Sequence, residues 1–261
     1  MQDRYTGDIG DFGKYALLRA LAGLHPTSEP SLSLGVVWYL TDAEMERTDP
    51  AGDGRHTAYL KPHQAPRFRS ADPELYDSLA ALINSNDRRV AAIRERAILG
   101  PNTVFYEDRI HTPTPQQRRF ERLQHRELWI AAAERAVAPC DIVFLDPDNG
   151  LEAASVQTHH KKGPKYAYLN ELQRLAGGSR ALVVYHHLSR SSDGVAQIRT
   201  VGARIRDALP RDYTLDAVWY HRGTARAFLI ATPPRYAAPI DRRIAALLAG
   251  PWAAHFTREI A

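Results

Sequence analysis

One stretch of the sequence joins an apolar run to a polar turn: Asp141-Ile142-Val143-Phe144-Leu145-Asp146-Pro147-Asp148-Asn149-Gly150-Leu151-Glu152. Four apolar residues precede Asp146, a run typical of a short strand buried on both faces of a parallel sheet. Pro147 cannot donate to a neighbouring strand and Asn149-Gly150 favours a turn, so the strand ends here. Ligands of open α/β sheets bind beyond the carboxyl ends of the strands. The polar residues at this end are therefore candidate site residues: Asp146, Asp148, Asn149 and Glu152.

The alternative interpretation of this stretch is a plain turn that uses Asp and Asn for local hydrogen bonds. A turn needs one such residue, whereas four polar side chains lie together here. This excess favours a ligand site over a plain turn.

The composition is that of a globular protein: 261 residues, 44% of them hydrophobic, with a formal net charge of +4. We expect a single α/β domain over 1–261, with a lid or insertion at about 46–100. The one cysteine, Cys140, excludes an internal disulfide, and the apolar runs are too short to span a membrane. A cytoplasmic protein is expected, with no membrane partner. The positive charge favours a polyanionic partner, RNA or DNA, and the oligomeric state stays open.

The segment from Tyr5 to Tyr15 is rich in glycine and acidic residues and leads into a helix predicted at 12–24. Backbone amides at a helix start suit an anion, and Lys14 adds positive charge. Asp8 and Asp11 suit a ribose, an amine or a metal ion better than a phosphate. A capped helix with a flexible lead-in is the alternative.

The remaining elements alternate along the chain, which predicts a mostly parallel sheet with helices on both faces. Strands are predicted at 34–40, 103–106, 142–145 and 180–186, and an antiparallel hairpin at 215–220 and 225–231. Helices are predicted at 73–84, 88–99, 116–137, 166–175, 195–209 and 240–248. His186 and His187 follow a central strand, so we expect them at the same cleft as Asp146.

This order, closed by an antiparallel hairpin, resembles the class I S-adenosylmethionine-dependent methyltransferases, which have a Rossmann-like, doubly wound sheet. In particular the chain is similar to the adenine-N6 methyltransferases of 23S ribosomal RNA. Gly10-Asp11-Phe12-Gly13-Lys14-Tyr15 resembles their N-terminal lead, and the strand at 36–40 their cofactor strand. Asp146-Pro147-Asp148-Asn149 stands where they have Asp-Pro-Pro-aromatic.

The resemblance implies methyl transfer from S-adenosylmethionine to a nucleic-acid base amino group. Asp146 and the carbonyl of Pro147 would accept hydrogen bonds from that amino group, which belongs to a flipped-out base. Asn149 would line the pocket, with Asp148 and His186 beside it. The residues that would hold the cofactor or close over it are Asp8, Asp11, Lys14, Asp42 and Glu44. No glycine-rich loop follows the strand at 34–40, which runs into Thr41-Asp42-Ala43-Glu44.

Two other functions fit the same residues. A metal-dependent nuclease or phosphoesterase would place Mg²⁺ or Mn²⁺ among hard oxygen ligands. Its ligands would come from Asp8, Asp11, Asp146, Asp148 and Glu152, with His186, His187 and Lys165 nearby. A non-catalytic nucleic-acid-binding module on the same fold is the third possibility.

Two basic segments are candidates for nucleic-acid contact. The helix at 116–137 carries several arginines, and the segment from His159 to Lys165 forms a basic loop. Each is interpreted either as a solvated surface or as a phosphate-binding track. The arginines of the helix are Arg118, Arg119, Arg122, Arg126 and Arg135.

Overall fold

The structure is a computed structural model that describes residues 2–24, 30–42, 56–189 and 192–260. Within these ranges nine strands form, listed here in chain order: β1 (Leu34–Trp38), β2 (Val104–Tyr106), β3 (Ile142–Asp146), β4 (Gly150–Leu151), β5 (Tyr166–Ala167), β6 (Ala181–His187), β7 (Thr214–Tyr220), β8 (Arg226–Thr232) and β9 (Phe256–Ile260).

Seven of these strands form a central sheet in the order β2-β1-β3-β6-β8-β7-β9, and β4 pairs with β5 in a small separate sheet. The pairs β1–β2, β1–β3 and β3–β6 are parallel, while β6–β8, β7–β8 and β7–β9 are antiparallel. The direction of β7 therefore matches that of β6, and only β8 and β9 run the opposite way. The sheet is mostly parallel, and the predicted C-terminal hairpin is confirmed as β7–β8.

Helices cover both faces of this sheet, as the unbroken apolar runs of β1 and β3 predict. The described helices are α1 (Ile9–Ala22), α2 (Ala65–Phe68), α3 (Pro73–Asn84), α4 (Ala91–Glu95), α5 (Arg119–Ala136), α6 (Leu169–Leu175), α7 (Gly194–Ala208) and α8 (Pro234–Ala249). Alternate residues of β3 enter opposite cores: Phe144 packs with α1, α3 and α8, while Val143 and Leu145 pack with α5, α6 and α7.

Helix α1 begins at Ile9, three residues before its predicted start. The Asp8 carboxylate accepts a hydrogen bond from the backbone N–H of Asp11 at 3.0 Å, which caps the first turn. Gly23 ends the helix in the left-handed conformation with φ of 77°. Of the glycine- and acid-rich segment, residues 9–15 are part of the helix, and residues 5–8 precede it.

Several other elements differ from the prediction, among them the helix predicted at 240–248, which is Pro234–Ala249. The helix predicted at 88–99 is only Ala91–Glu95, since Ala97 turns into the left-handed region with φ of 50°. The helix predicted at 166–175 begins at Leu169, because Tyr166–Ala167 pairs with β4. Strand β9 was not predicted; it pairs with β7 at the edge of the sheet.

The described part of the predicted insertion, 56–100, packs directly against α1. Phe12 lies 5.3 Å from Tyr59, 6.1 Å from Phe68 and 6.2 Å from Tyr76, measured between ring centroids. Whether the segment moves as a lid stays a prediction. None of the helices in the described ranges combines the length and the apolar character needed to cross a membrane.

Candidate functional site

The candidate site lies where α1 covers the carboxyl ends of β1 and β3. Asp146 is the last residue of β3 and is paired in register with Trp38, the last residue of β1. Asp146 Oδ2 lies 2.9 Å from Nζ of Lys14, which is also 2.8 Å from Oδ1 of Asp11. All three side chains are at most 5% exposed. The structure therefore brings together Asp11, Lys14 and Asp146, here named the buried triad.

The remaining oxygens of the α1 carboxylates also contact protein groups. Oδ2 of Asp11 accepts hydrogen bonds from the backbone N–H of Gly7 and from the hydroxyl of Tyr15, both at 3.0 Å. Asp8 caps the helix, as described above. The triad is thus anchored to the first turn of α1.

The pKa values of the buried triad reflect burial opposed by ion pairing. Burial by itself lowers the pKa of Lys14, but the charges of Asp11 and Asp146 outweigh it and raise that pKa above its ordinary value. Burial raises the pKa of Asp146, while the charge of Lys14 acts against this rise. Lys14 is consequently charged at neutral pH, and its ammonium is the counter-ion of both carboxylates.

Arg226, the first residue of β8, adds a second buried cation beside α1. It is 7% exposed, and its Nη2 donates to the hydroxyl of Thr224 at 2.6 Å. A Cβ built on Gly10 would lie 1.3 Å from Nη1 of Arg226, so only glycine lets the guanidinium lie against the helix at this point. Burial and the charge of Asp11 raise the pKa of Asp8, and the charge of Arg226 opposes them.

The turn after Asp146 is held by the N-terminus and by the basic loop. Pro147 is buried, and Asp148 and Asn149 are half-buried. Oδ2 of Asp148 accepts a hydrogen bond from Nε2 of Gln2 at 2.9 Å and lies 3.9 Å from Nζ of Lys165. The backbone N–H of Asn149 donates to the carbonyl of Lys165 at 2.9 Å.

His186 lies directly behind this turn, on β6. Its Nδ1 accepts a hydrogen bond from the backbone N–H of Leu151 at 3.1 Å. Gly150 has φ of 95°, and a Cβ there would lie 2.4 Å from His186 Nδ1. Burial, together with the charges of His187 and Arg204, lowers the pKa of His186 to about 4. The imidazole is therefore neutral at pH 7, with its proton on Nε2.

The residues after β1 were predicted to hold a cofactor. Asp42 is half-buried four positions beyond Trp38, and Glu44 lies outside the described residues. Two buried polar atoms at this end of β1 have no hydrogen-bond partner in the described part of the chain: Nε1 of Trp38 and Oγ1 of Thr41. Orphaned buried atoms of this kind fit a ligand that carries hydrogen-bonding groups. The residues present are thus compatible with a polar cofactor at β1.

A metal site is less well matched by this geometry. Across the described ranges, no group of three or more His, Cys, Asp or Glu side chains is arranged to hold a metal ion. The Lys14 ammonium contacts both Asp11 and Asp146, so a cation already bridges these carboxylates. Glu152 points elsewhere, with Oε1 3.1 Å from Nη2 of Arg204.

Comparisons with known proteins assign no family. No protein-family model matches the chain, and no curated protein matches it.

A second buried ionic group was missed by the sequence analysis, which had counted Arg126 among the arginines of a basic surface. Arg126 is only 6% exposed, and its Nε lies 2.6 Å from Oε1 of Glu171. The hydroxyl of Tyr39 donates to Oε2 of Glu171 at 3.0 Å. Arg126 also lies over the rings of Tyr39, Trp129 and Tyr168, with distances of 5.1–5.4 Å to the centroids.

Tyr15, Arg226 and Gln2 were also missed as parts of the candidate site. Gly10 was the available signal for Arg226, because a glycine inside a helix often marks a close approach by another group. No signal in the sequence identified which group approaches. Gln2 and Tyr15 carried no distinguishing pattern.

Proposed function

We propose that the protein transfers a methyl group from S-adenosylmethionine to an amino group of a nucleic-acid base. The observation that carries this proposal is the position of Asp146 in the sheet. The chain continues from β1 to β2 on one side and from β3 to β6 on the other, so the strand order reverses between β1 and β3. Ligands of doubly wound sheets bind at such a switch point, and Asp146 lies at its carboxyl edge.

The rest of the topology supports the methyltransferase version of the fold. The antiparallel strand β8 lies between the parallel strands β6 and β7. This is the C-terminal arrangement that the resemblance to class I methyltransferases implies. The added edge strand β9 lies at the far side of the sheet from β1 and leaves the switch point unchanged.

In the proposed reaction Asp146 accepts a hydrogen bond from the substrate amino group and orients its nitrogen lone pair. The charge of the Lys14 ammonium opposes the rise in the pKa of Asp146 that burial causes and so favours the ionised carboxylate, which accepts a hydrogen bond while the amino proton leaves to water. The carbonyl of Pro147 accepts the second amino hydrogen, and Asn149 lines the pocket. Neutral His186 holds the turn through Leu151 and can donate only from Nε2. The cofactor, when bound, supplies the activated methyl group.

The cofactor would bind at the end of β1. We assign this role to Asp42, with the orphaned hydroxyl of Thr41 beside it in sequence, and to Glu44 as the continuation of the same segment. Asp8 and Asp11 already accept hydrogen bonds within α1. Together with Lys14 they are better suited to position Asp146 than to bind the cofactor directly.

The binding-module alternative is favoured by one observation: Asp146 is 3% exposed and already ion-paired. A substrate amino group reaches this carboxylate only if α1 or the turn after β3 shifts. In the metal-dependent alternative, Mg²⁺ or Mn²⁺ would have to displace the Lys14 ammonium from the two carboxylates. Methyl transfer needs only the shift of α1 or of the turn after β3, and not the displacement of Lys14.

The test is incorporation of labelled methyl groups from S-adenosylmethionine into mixed cellular RNA and DNA, followed by digestion to nucleosides. We expect a methylated base amino group, absent from the product of an Asp146→Asn variant that folds normally. Asp207→Asn, an exposed carboxylate on α7, is the matched control and should retain activity. Full activity in folded Asp146→Asn, or no methylated nucleoside from the wild type, would contradict the proposal.

A further inference from the structure

A strip of cationic side chains extends from the start of α5 onto the loop before β5. Its members, here named the basic strip, are Arg119, Arg122, Lys161 and Lys162. Arg122 joins the two segments: its Nη1 donates to the carbonyl of His159 at 3.3 Å and its Nη2 to the carbonyl of Thr114 at 2.6 Å. Carbonyl oxygens carry no net charge, so the guanidinium stays uncompensated.

No carboxylate of the described ranges forms an ion pair with a member of the strip. The acid nearest in sequence, Glu121, caps α5 and contacts Arg118 at 3.3 Å. Positive charge accumulates as a result: slight burial and the charges of Arg119, His160 and Arg122 lower the pKa of His159. An anionic partner would relieve this repulsion, and its phosphates would gain direct contacts.

An exposed aromatic ring lies on the first turn of α5, next to Arg119 in sequence. Phe120 is 55% exposed, and the guanidinium of Arg118 lies 4.6 Å from its ring centroid. Exposed aromatic side chains between cations are a stacking platform for the bases of single-stranded nucleic acid. A duplex hides its base faces, so a single strand is the occupant that uses both the charges and the ring.

A cavity of about 330 Å³ opens beside the strip, between α5 and the start of α6. Its lining residues are Leu123, Gln124, Arg126, Glu127, Ile130, Thr158, Asn170 and Glu171. Nη1 of Arg126 is buried and has no hydrogen-bond partner in the described part of the chain. The cavity thus has the volume of a small-molecule pocket and is lined mostly by polar and charged side chains, with Leu123 and Ile130 as its apolar residues.

The basic loop also leads to the candidate site. It ends at Lys165, whose carbonyl accepts a hydrogen bond from Asn149 and whose ammonium lies 3.9 Å from Asp148. Helix α5 begins at this edge of the sheet, since its C-terminal end connects directly to the start of β3. The basic strip, the cavity and the turn after Asp146 therefore follow one another along the carboxyl edge of the central sheet.

We propose that the basic strip binds a single strand of nucleic acid, with a base stacked on Phe120 and a neighbouring base in the cavity above Arg126. This inference rests on the proposed nucleic-acid substrate and names its form and its path to Asp146. RNA and DNA share the phosphates and bases that the strip recognises, so both are used as probes.

The experiment measures fluorescence anisotropy of labelled single-stranded RNA and DNA of one sequence, and of the matching DNA duplex, with the full chain and without S-adenosylmethionine. Salt is varied from about 50 to about 200 mM. In the variant Arg119→Gln/Lys161→Gln/Lys162→Gln, we expect the slope of log affinity against log salt to fall by about 2, roughly 0.7 per lost phosphate contact. The matched control is Lys61→Gln/Arg135→Gln/Arg211→Gln, three exposed cations outside the strip, which should leave the slope unchanged.

Two further variants test the bases rather than the phosphates. Phe120→Ala should weaken binding by about 10-fold with the salt slope unchanged, whereas Leu128→Ala, 61% exposed on the same helix, should have no effect. Asn170→Trp fills the mouth of the cavity and should also weaken binding at constant slope. If urea titration shows that Asn170→Trp is folded and its affinity for the strand is unaltered, the proposal that a base binds in the cavity is overturned.

The strip itself is overturned if the wild type does not bind at the lowest salt, if duplex binds as tightly as single strand, or if the control triple variant lowers the slope equally. These results are separable from the catalytic proposal. Strand binding without methyl transfer contradicts the enzyme assignment alone. Methyl transfer to RNA or DNA that the strip variant leaves unchanged contradicts the strip alone.

Discussion

Nζ of Lys14 lies 2.9 Å from Oδ2 of Asp146, although 132 residues separate the two in the chain. This ion pair ties the first helix to the central strand of the sheet. The charge of Lys14 also opposes the rise in the pKa of Asp146 that burial causes.

Replacing Lys14 by methionine should destabilise the fold by about 3–5 kcal/mol, because Asp11 and Asp146 would stay buried without their shared cation. Urea unfolding at pH 7 measures the change. Lys61→Met, which removes an exposed ammonium, should shift stability by less than about 0.5 kcal/mol. Adding Asp146→Asn to Lys14→Met should recover part of the loss, and strictly additive losses would refute the coupling.

Gly13→Ala should destabilise the protein although alanine favours helices. A Cβ at Gly13 would lie 2.5 Å from ring atoms of Tyr220, and overpacking of this kind costs about 1–3 kcal/mol. The helix preference of alanine returns only about 1 kcal/mol. Gly250→Ala is the control, because its nearest neighbouring atoms are 3.7 Å away. Equal stabilities of the two variants by urea unfolding would argue against the close approach of α1 to β7.

The buried pair Arg126–Glu171 should contribute more than an exposed pair on the same helix. Glu171→Gln leaves the Arg126 cation buried without a counter-charge and should cost about 3 kcal/mol. Glu127→Gln removes an exposed partner of Arg174 and should change stability by less than about 1 kcal/mol. Urea titrations of both variants decide the point, and similar losses in the two would show that Arg126 is solvated.

Stability should rise with pH between about 4 and 6.5 because of His186. Its pKa falls from an ordinary 6.5 to about 4 on folding, so in this window the unfolded chain binds more protons than the folded one. The contribution of His186 to the free energy of unfolding is fully present above pH 6.5 and is lost as the pH falls through 4. The loss amounts to about 3 kcal/mol.

The check compares urea unfolding of the wild type and His186→Asn across this window. Asparagine keeps an acceptor for the Leu151 amide but does not titrate, so the variant should show a shallower rise. The pKa of His255 is also lowered to about 4 by burial and by nearby charges. His255 therefore accounts for the rise of stability with pH that remains in His186→Asn. Superimposable pH profiles would contradict the assignment.

The sequence predicted the sheet well wherever the signal was local. The apolar runs of β1, β3 and β6 are recognisable as buried strands from the sequence. The short gap between β7 and β8 required a hairpin. Strand β9 escaped prediction because Phe256–Ile260 is a short edge strand stabilised only by its pairing with β7. Pairing between distant segments cannot be recognised from the residues of one strand alone.

The candidate site was predicted in part, for the same reason. The position of Asp146 was predicted from the end of a buried strand. Asp11 and Lys14 were predicted as site residues because a short segment near the helix start is dense in glycine and charged residues. Their mutual contact did not follow, because nothing in either segment specifies its partner. Arg126 was misassigned because an arginine on an amphipathic helix resembles a solvated residue until Glu171, 45 residues later, is placed beside it.

Isothermal titration of the full chain with S-adenosylmethionine tests whether the cofactor binds. We expect saturable binding at one site, lost or strongly weakened in Asp42→Ala and unchanged in the exposed control Asp207→Ala. The absence of binding heat over a range of temperatures, or equal affinity in the wild type and Asp42→Ala, would contradict cofactor binding at the end of β1.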